Sequence, residues 1–165
     1  WLSDTPDVPN SRTWKNRVTR VCTWAKLLDK PSGRIIHFYN THLDHESQEA
    51  REKGVALVLQ RIAARKPEEA FLLTGDFNAT EDNPAILAVT KHPLKLADAW
   101  RTKHPDTPLN ESGTMHWFTG AHDKAKIDYI FVPAGTKVIE STIIHTNQEG
   151  AYPSDHFPIR ATLEM

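Results

Sequence analysis

The sequence has one cysteine, no basic excess, and no apolar run near the roughly 20 residues that cross a bilayer. A lone Cys22 excludes an internal disulfide and a cysteine-rich zinc site. It lies in the β-like run Arg20-Val21-Cys22-Thr23-Trp24 and reads as buried packing rather than as a reactive thiol. The 20 basic and 21 acidic residues give a net charge of −1. Duplex-binding proteins neutralise phosphates with a basic surplus, so this balance argues against a dedicated DNA-binding module, while leaving nucleic acid open as a substrate. No internal repeat or low-complexity tract interrupts the chain. The opening Trp1-Leu2-Ser3-Asp4 has no initiator methionine and no charged-then-apolar leader, so it reads as a cut inside a longer protein. Localisation is therefore left open.

What is present fits one domain, since 165 residues can bury roughly 70% of their unfolded surface. Residues 1–17 read as loop. β-Branched residues over 18–28, a turn at Asp29-Lys30-Pro31-Ser32-Gly33 and a return over 34–40 predict a hairpin in a buried sheet. Val55, Val58, Leu59 and Ile62 recur on one face of a helix that Pro67 ends. The apolar run 70–74 reads as a strand covered on both faces. Asn83-Pro84 opens a short helix to about Thr90, because Asn caps well and Pro is tolerated at the first helical position. Residues 101–125, rich in Pro, His, Asp and Gly, predict a long irregular segment, a length uncommon in a compact domain unless the segment is functional or mobile. Three more strands are expected over 126–132, 137–145 and 157–163. Such an order defines an α/β (α+β) fold with mixed sheets.

Four polar clusters stand at the ends of the apolar strands, where ligands of open α/β sheets bind. They are Asn40-Thr41-His42-Leu43-Asp44-His45, Thr74-Gly75-Asp76-Phe77-Asn78, Lys126-Ile127-Asp128-Tyr129, and Ser154-Asp155-His156-Phe157-Pro158. Each has a plain structural reading: a strand-end histidine, an Asx turn, a capped turn. Asp128 resists it most, because a carboxylate inside an apolar run needs a partner. Together the clusters supply paired carboxylates for a hard, oxygen-seeking cation and imidazoles for proton transfer. Phosphate ester hydrolysis draws on both.

In this order the clusters resemble the C-terminal signature motifs of the endonuclease/exonuclease/phosphatase (deoxyribonuclease I-like) superfamily. Thr41-His42-Leu43-Asp44-His45 with Ala50-Arg51, Gly113-Thr114-Met115-His116, and Tyr152-Pro153-Ser154-Asp155-His156 further resemble a poorly characterised, mostly bacterial branch. The resemblance covers nearly the whole chain. It implies a four-layer α/β/β/α sandwich, incomplete here because the N-terminal half, with an Asn and a Glu of the metal site, is absent. On that reading residues 1–165 are the C-terminal portion of a single domain.

The resemblance also implies roles. His156 would act as general base or bind the scissile phosphate, oriented by Asp128. Asp155 and Asp76 would serve the metal, with Asp76 also near the attacking water. Asn78 would position phosphate or water, and His42 would stabilise the phosphoryl oxygens or the leaving group. Arg51, His45 and His116 are the branch's candidate substrate contacts. The planar fork of Arg51 suits a phosphate, although a helix-surface ion pair is the plainer reading. Mg²⁺ is the implied cofactor, with Mn²⁺ as a substitute, and a phosphate ester the implied partner; no protein partner is indicated. Trp117 and Phe118 would either stack a base or pack in the core. The alternatives are a non-catalytic interaction module that keeps the fold, and a zinc enzyme. The nine histidines include no zincin-like helical pair to support the latter.

Overall fold

The alternating strand at Ile35–His42 (β2) folds back on Cys22–Leu28 (β1) as an antiparallel hairpin, in register from Cys22 opposite Thr41 to Leu28 opposite Ile35. A helix over Gln48–Ala63 (α1) then carries the chain across, so that Ala70–Asp76 (β3) lies parallel to β2. The computed structural model describes residues 1–165. A helix at Pro84–Thr90 (α2), a short strand Leu96–Asp98 (β4) and a short helix Ala99–Lys103 (α3) follow. Asp128–Pro133 (β5) inserts between β3 and β4, antiparallel to both, giving a five-stranded sheet in the order β1-β2-β3-β5-β4. Lys137–Ile143 (β6) and Ile159–Glu164 (β7) form a separate antiparallel pair with a bulge between Val138 and Glu140.

Period-2 alternation sorts each strand between two faces. Tyr39, Phe71, Leu73, Tyr129 and Phe131 point to one face and meet the apolar stripe of α1 (Val55, Val58, Leu59, Ile62) and Ile86 and Val89 of α2 in the main core. The opposite face carries Leu72, Ile130 and Val132, which pack with Val138, Ala161 and Leu163 of the β6-β7 sheet. The layers are helix, sheet, sheet: a mixed α/β sandwich.

Helix α1 begins where expected physically: Ser47 caps it by accepting the Ala50 amide, and Asn83 caps α2 by accepting the amide of Ala85, one residue beyond Pro84. The predicted strands all exist, shifted by a few residues at their ends. Two features differ from expectation. β1 is an edge strand and mostly exposed rather than buried, because the β6-β7 sheet does not extend over it. Within residues 101–125 the end of α3 and a single 3₁₀ turn at Leu109–Glu111 interrupt the loop, and β4 precedes it.

Candidate active site

Strand register builds the site. His42 pairs with Asp76 across β2 and β3, and Asp76 with Asp128 across β3 and β5. Residues paired in register share a face, so His42, Asp76 and Asp128 form one transverse row across three strands. That face is the one turned toward the second sheet, and His156 enters it from the segment leading into β7. The row depends on Gly75, whose φ is 142° and whose hypothetical Cβ would lie 1.8 Å from the Thr41 carbonyl oxygen. Only glycine lets β3 approach β2 this closely just before Asp76.

The side chains converge. His156 Nδ1 lies 2.8 Å from Asp128 Oδ2, its Nε2 4.0 Å from Asp76 Oδ2, and His42 Nε2 3.2 Å from the same Asp76 oxygen. Asp76, Asp128 and His156 each offer a ligand atom within 4.8 Å of the others, a group able to hold a metal ion. The hydrogen bond to Asp128 raises the His156 pKa above the ordinary histidine value, against the opposing effect of burial. Partial desolvation lowers that of His42, outweighing the pull of Asp76. Burial, and then the facing Asp128 charge, push the Asp76 carboxyl up. Two carboxylates held side by side with one of them destabilised is the charge arrangement a divalent cation relieves. The donor set therefore fits a hard cation.

Asn78 has a φ of 48° and closes an Asx turn, its amide N–H donating to Asp76 Oδ1 at 2.8 Å. Its side-chain amide donates to the Leu43 carbonyl at 3.0 Å, tying the ends of β2 and β3 together. Asp155 lies beside His156 but outside the three-residue group, with Ser154 Oγ 3.4 Å from its Oδ1. The remaining candidates sit further out. Arg51 is committed to the start of α1 and the turn before it, donating to Gln48 and, at 2.8 Å, to the Asp44 carbonyl. His45 is exposed and pairs through Nδ1 with Arg20 Nη2 at 3.0 Å. His116 is 3% exposed and stacked on Phe157 at 3.9 Å, beneath the loop rather than at its surface.

That loop is bound to the site through its backbone. The amides of His116 and Trp117 both donate to the Asp155 carbonyl, at 2.8 and 3.1 Å. Thr114 Oγ1 accepts from the amides of Ile127 and Asp128, and the Phe157 amide donates to the Thr114 carbonyl. Trp117 and Phe118 both adopt positive φ, 50° and 62°, a conformation costing about 1–3 kcal/mol per non-glycine residue.

Sequence reasoning missed a buried ionic cluster behind the row. Lys126, 1% exposed, places Nζ 2.5 Å from Glu81 and 2.7 Å from Asp98, and 4.0 Å over the Tyr129 ring. Arg101 closes it with a forked contact to Glu81. Burial pushes both carboxyls up; in Glu81 the hydrogen bonds from Arg101 and Lys126 outweigh this and the net shift is downward, whereas in Asp98 burial prevails. The legible signal was Lys126 itself, a cation two residues before a strand carboxylate.

Two sheets, flanking helices and a carboxylate–histidine group at the strand ends define a phosphoesterase-type α/β sandwich with a candidate metal site. Residues 3–156 match the Endonuclease/Exonuclease/phosphatase family, and the chain belongs to it. Among solved structures it is 30% identical to the mannosyl-6-phosphatase of Bacteroides thetaiotaomicron, with a TM-score of 0.85, covering 100% of this chain and 64% of that one. An endonuclease/exonuclease/phosphatase protein of Bacteroides vulgatus is 32% identical, with a TM-score of 0.85 and coverage of 100% and 63%. A probable CCR4-Not complex 3'-5'-exoribonuclease subunit of Encephalitozoon cuniculi is 26% identical over 80% of this chain and 31% of its own length. The chain thus spans less than two thirds of the length of the proteins it matches.

Proposed function

We propose that this chain carries most of the active site of a metal-dependent phosphoesterase, as the C-terminal portion of a single domain. The observation that carries this reading is the convergence of Asp76, Asp128 and His156 within 4.8 Å at the ends of three chain segments distant in sequence. Asp76 would hold the cation, with Asp155, adjacent to His156 in sequence, as a further carboxylate that a six-coordinate ion could draw on. When bound, Mg²⁺, or Mn²⁺ in its place, neutralises charge on the phosphoryl oxygens and favours a nucleophilic water.

The chain's own residues supply the rest. Asp128 fixes His156 through Nδ1, which leaves Nε2 turned toward Asp76 and free to take a proton from water. In its protonated form the same imidazole, stabilised by Asp128, faces the developing phosphoryl charge instead. Desolvation favours the neutral form of His42, whose Nε2, 3.2 Å from Asp76 Oδ2, would exchange that contact for a phosphoryl or leaving-group oxygen. Asn78 keeps the Asp76 carboxylate in place through its backbone amide.

The substrate is a phosphate ester. The balanced charge and the 30% identity to a mannosyl-6-phosphatase support a small ester over duplex nucleic acid. The test is hydrolysis of p-nitrophenyl phosphate, bis-(p-nitrophenyl) phosphate and mannose 6-phosphate by the complete natural polypeptide, with Mg²⁺ and with EDTA. Metal-dependent turnover of at least one is expected. Turnover of none, with Mg²⁺ or Mn²⁺, favours the non-catalytic interaction module.

A further inference from the structure

Trp117 and Phe118 are 62% and 58% exposed, although large aromatic residues ordinarily bury their rings. Both also hold positive φ, where glycine would rest without strain. Exposure and strain at two consecutive positions leave neither core packing nor backbone preference as the reason for these side chains. Strain of this kind persists where the surroundings impose it, and here they do. The Trp117 amide is fixed 3.1 Å from the Asp155 carbonyl, one residue before His156, and Met115 bridges to His156 itself. Thr119 clamps the turn by donating twice to the His116 carbonyl, from its amide and its hydroxyl, and the Gly120 amide donates to His116 Nδ1. His116, stacked on Phe157 and edge-on to Tyr152, is the buried post on which the turn stands.

We infer that Trp117 and Phe118 form a binding platform for a ring in the substrate's leaving group, setting specificity beside the phosphate site. The ligand chemistry is a phosphate ester whose alcohol carries a flat ring face, either a nucleobase or the C–H face of a sugar. Aromatic side chains stack on both without reading a hydrogen-bond pattern. Backbone attachment to Asp155 and His156 holds the platform beside the candidate site. The inference deepens the phosphoesterase reading and rests on it.

Glycine substitutions separate a binding role from a structural one, because glycine accepts the backbone conformation while removing the ring. The complete natural polypeptide is compared with Trp117→Gly, Phe118→Gly and the double variant. Substrates are AMP, mannose 6-phosphate and methyl phosphate, or their methyl diesters if only diesters are cleaved. Each single substitution is expected to raise KM about tenfold for a ring-bearing ester, with kcat and the methyl phosphate KM unchanged. The thermal midpoint is expected not to fall. A KM increase confined to AMP identifies a nucleobase, and one confined to mannose 6-phosphate a sugar ring. Unchanged KM for all three substrates, or an equal increase for all three, overturns the platform. If the unsubstituted protein cleaves none of them, the phosphoesterase reading fails separately. Calorimetric binding of AMP and mannose 6-phosphate then decides the platform, and affinities equal in parent and Trp117→Gly overturn it.

Discussion

At the scale of single residues, the pair formed by Asp128 and His156 is the unit on which the proposed chemistry turns. Replacing either with Ala in the complete polypeptide is expected to slow metal-dependent hydrolysis by about 10²–10⁴-fold. The double variant should be little worse than either single one, because each residue is useless without the other. Rates that multiply would show the two to be uncoupled. The pair also has a signature independent of turnover. Asp128 raises the His156 pKa above its ordinary value of about 6.5, so protonation of His156 favours the folded state. This contribution is fully present below the unfolded value and is lost as pH rises through the raised folded one. In EDTA, urea unfolding of parent and Asp128→Asn should therefore differ most near about pH 6 and converge toward about pH 9. A gap that stays constant across this range would mean that Asp128 does not bias His156 protonation. Both residues were legible in the sequence, Asp128 because a carboxylate within an apolar run demands a partner. The commitment of Arg51 to Gln48 and the Asp44 carbonyl was not legible, since spacing shows that a guanidinium is on a helix and not which carbonyl it meets.

Among elements, what holds the row together is the fit between β3, β5 and the turn after Asp76. Six of the seven strands were readable from apolar runs and turn residues. β4 was not, because three residues cannot display a period of two. The ionic cluster behind β5 was equally hidden: Glu81, Asp98, Arg101 and Lys126 are spread over 46 positions of sequence and meet only after folding. Tyr129 joins this cluster to the site, its hydroxyl donating to the Ala79 carbonyl at 2.9 Å while Lys126 lies over its ring. Lys126→Met keeps the length of the side chain and removes the charge, leaving Asp98 buried without its counter-ion. The expected cost is about 3–5 kcal/mol, read by urea unfolding. Lys126→Met with Asp98→Asn should recover part of it, because the orphaned carboxylate is gone. A cost below about 1 kcal/mol would place Lys126 with ordinary surface ion pairs instead.

For the whole molecule, the two faces of the five-stranded sheet are unequal. Helices α1 and α2 cover one. On the other, the β6-β7 sheet packs over Leu72, Ile130 and Val132 but does not reach the β1-β2 end, where Leu27 is 48% and Phe38 36% exposed. Ala25 pairs with Phe38 and Leu27 with Ile36, so these four share the open face and make a contiguous apolar surface. Aromatic and β-branched residues on both faces of β1 and β2 promised a buried sheet, yet a sequence pattern cannot say whether the covering layer lies in the same stretch of chain. Patches of this kind attract dyes and partners in proportion to their area. The 165 residues produced by themselves are therefore expected to bind ANS, and Leu27→Lys with Phe38→Thr to abolish most of that binding. Since both positions face water, the double substitution should shift stability by no more than about 1 kcal/mol. In a longer natural polypeptide of this family, additional chain seated on the same face would reverse both results. Dye binding would be absent, and the substitutions would cost about 1.5–3 kcal/mol for each buried side chain lost. Equal dye binding and equally small costs in both polypeptides would show that the face stays open to solvent whatever its chain context.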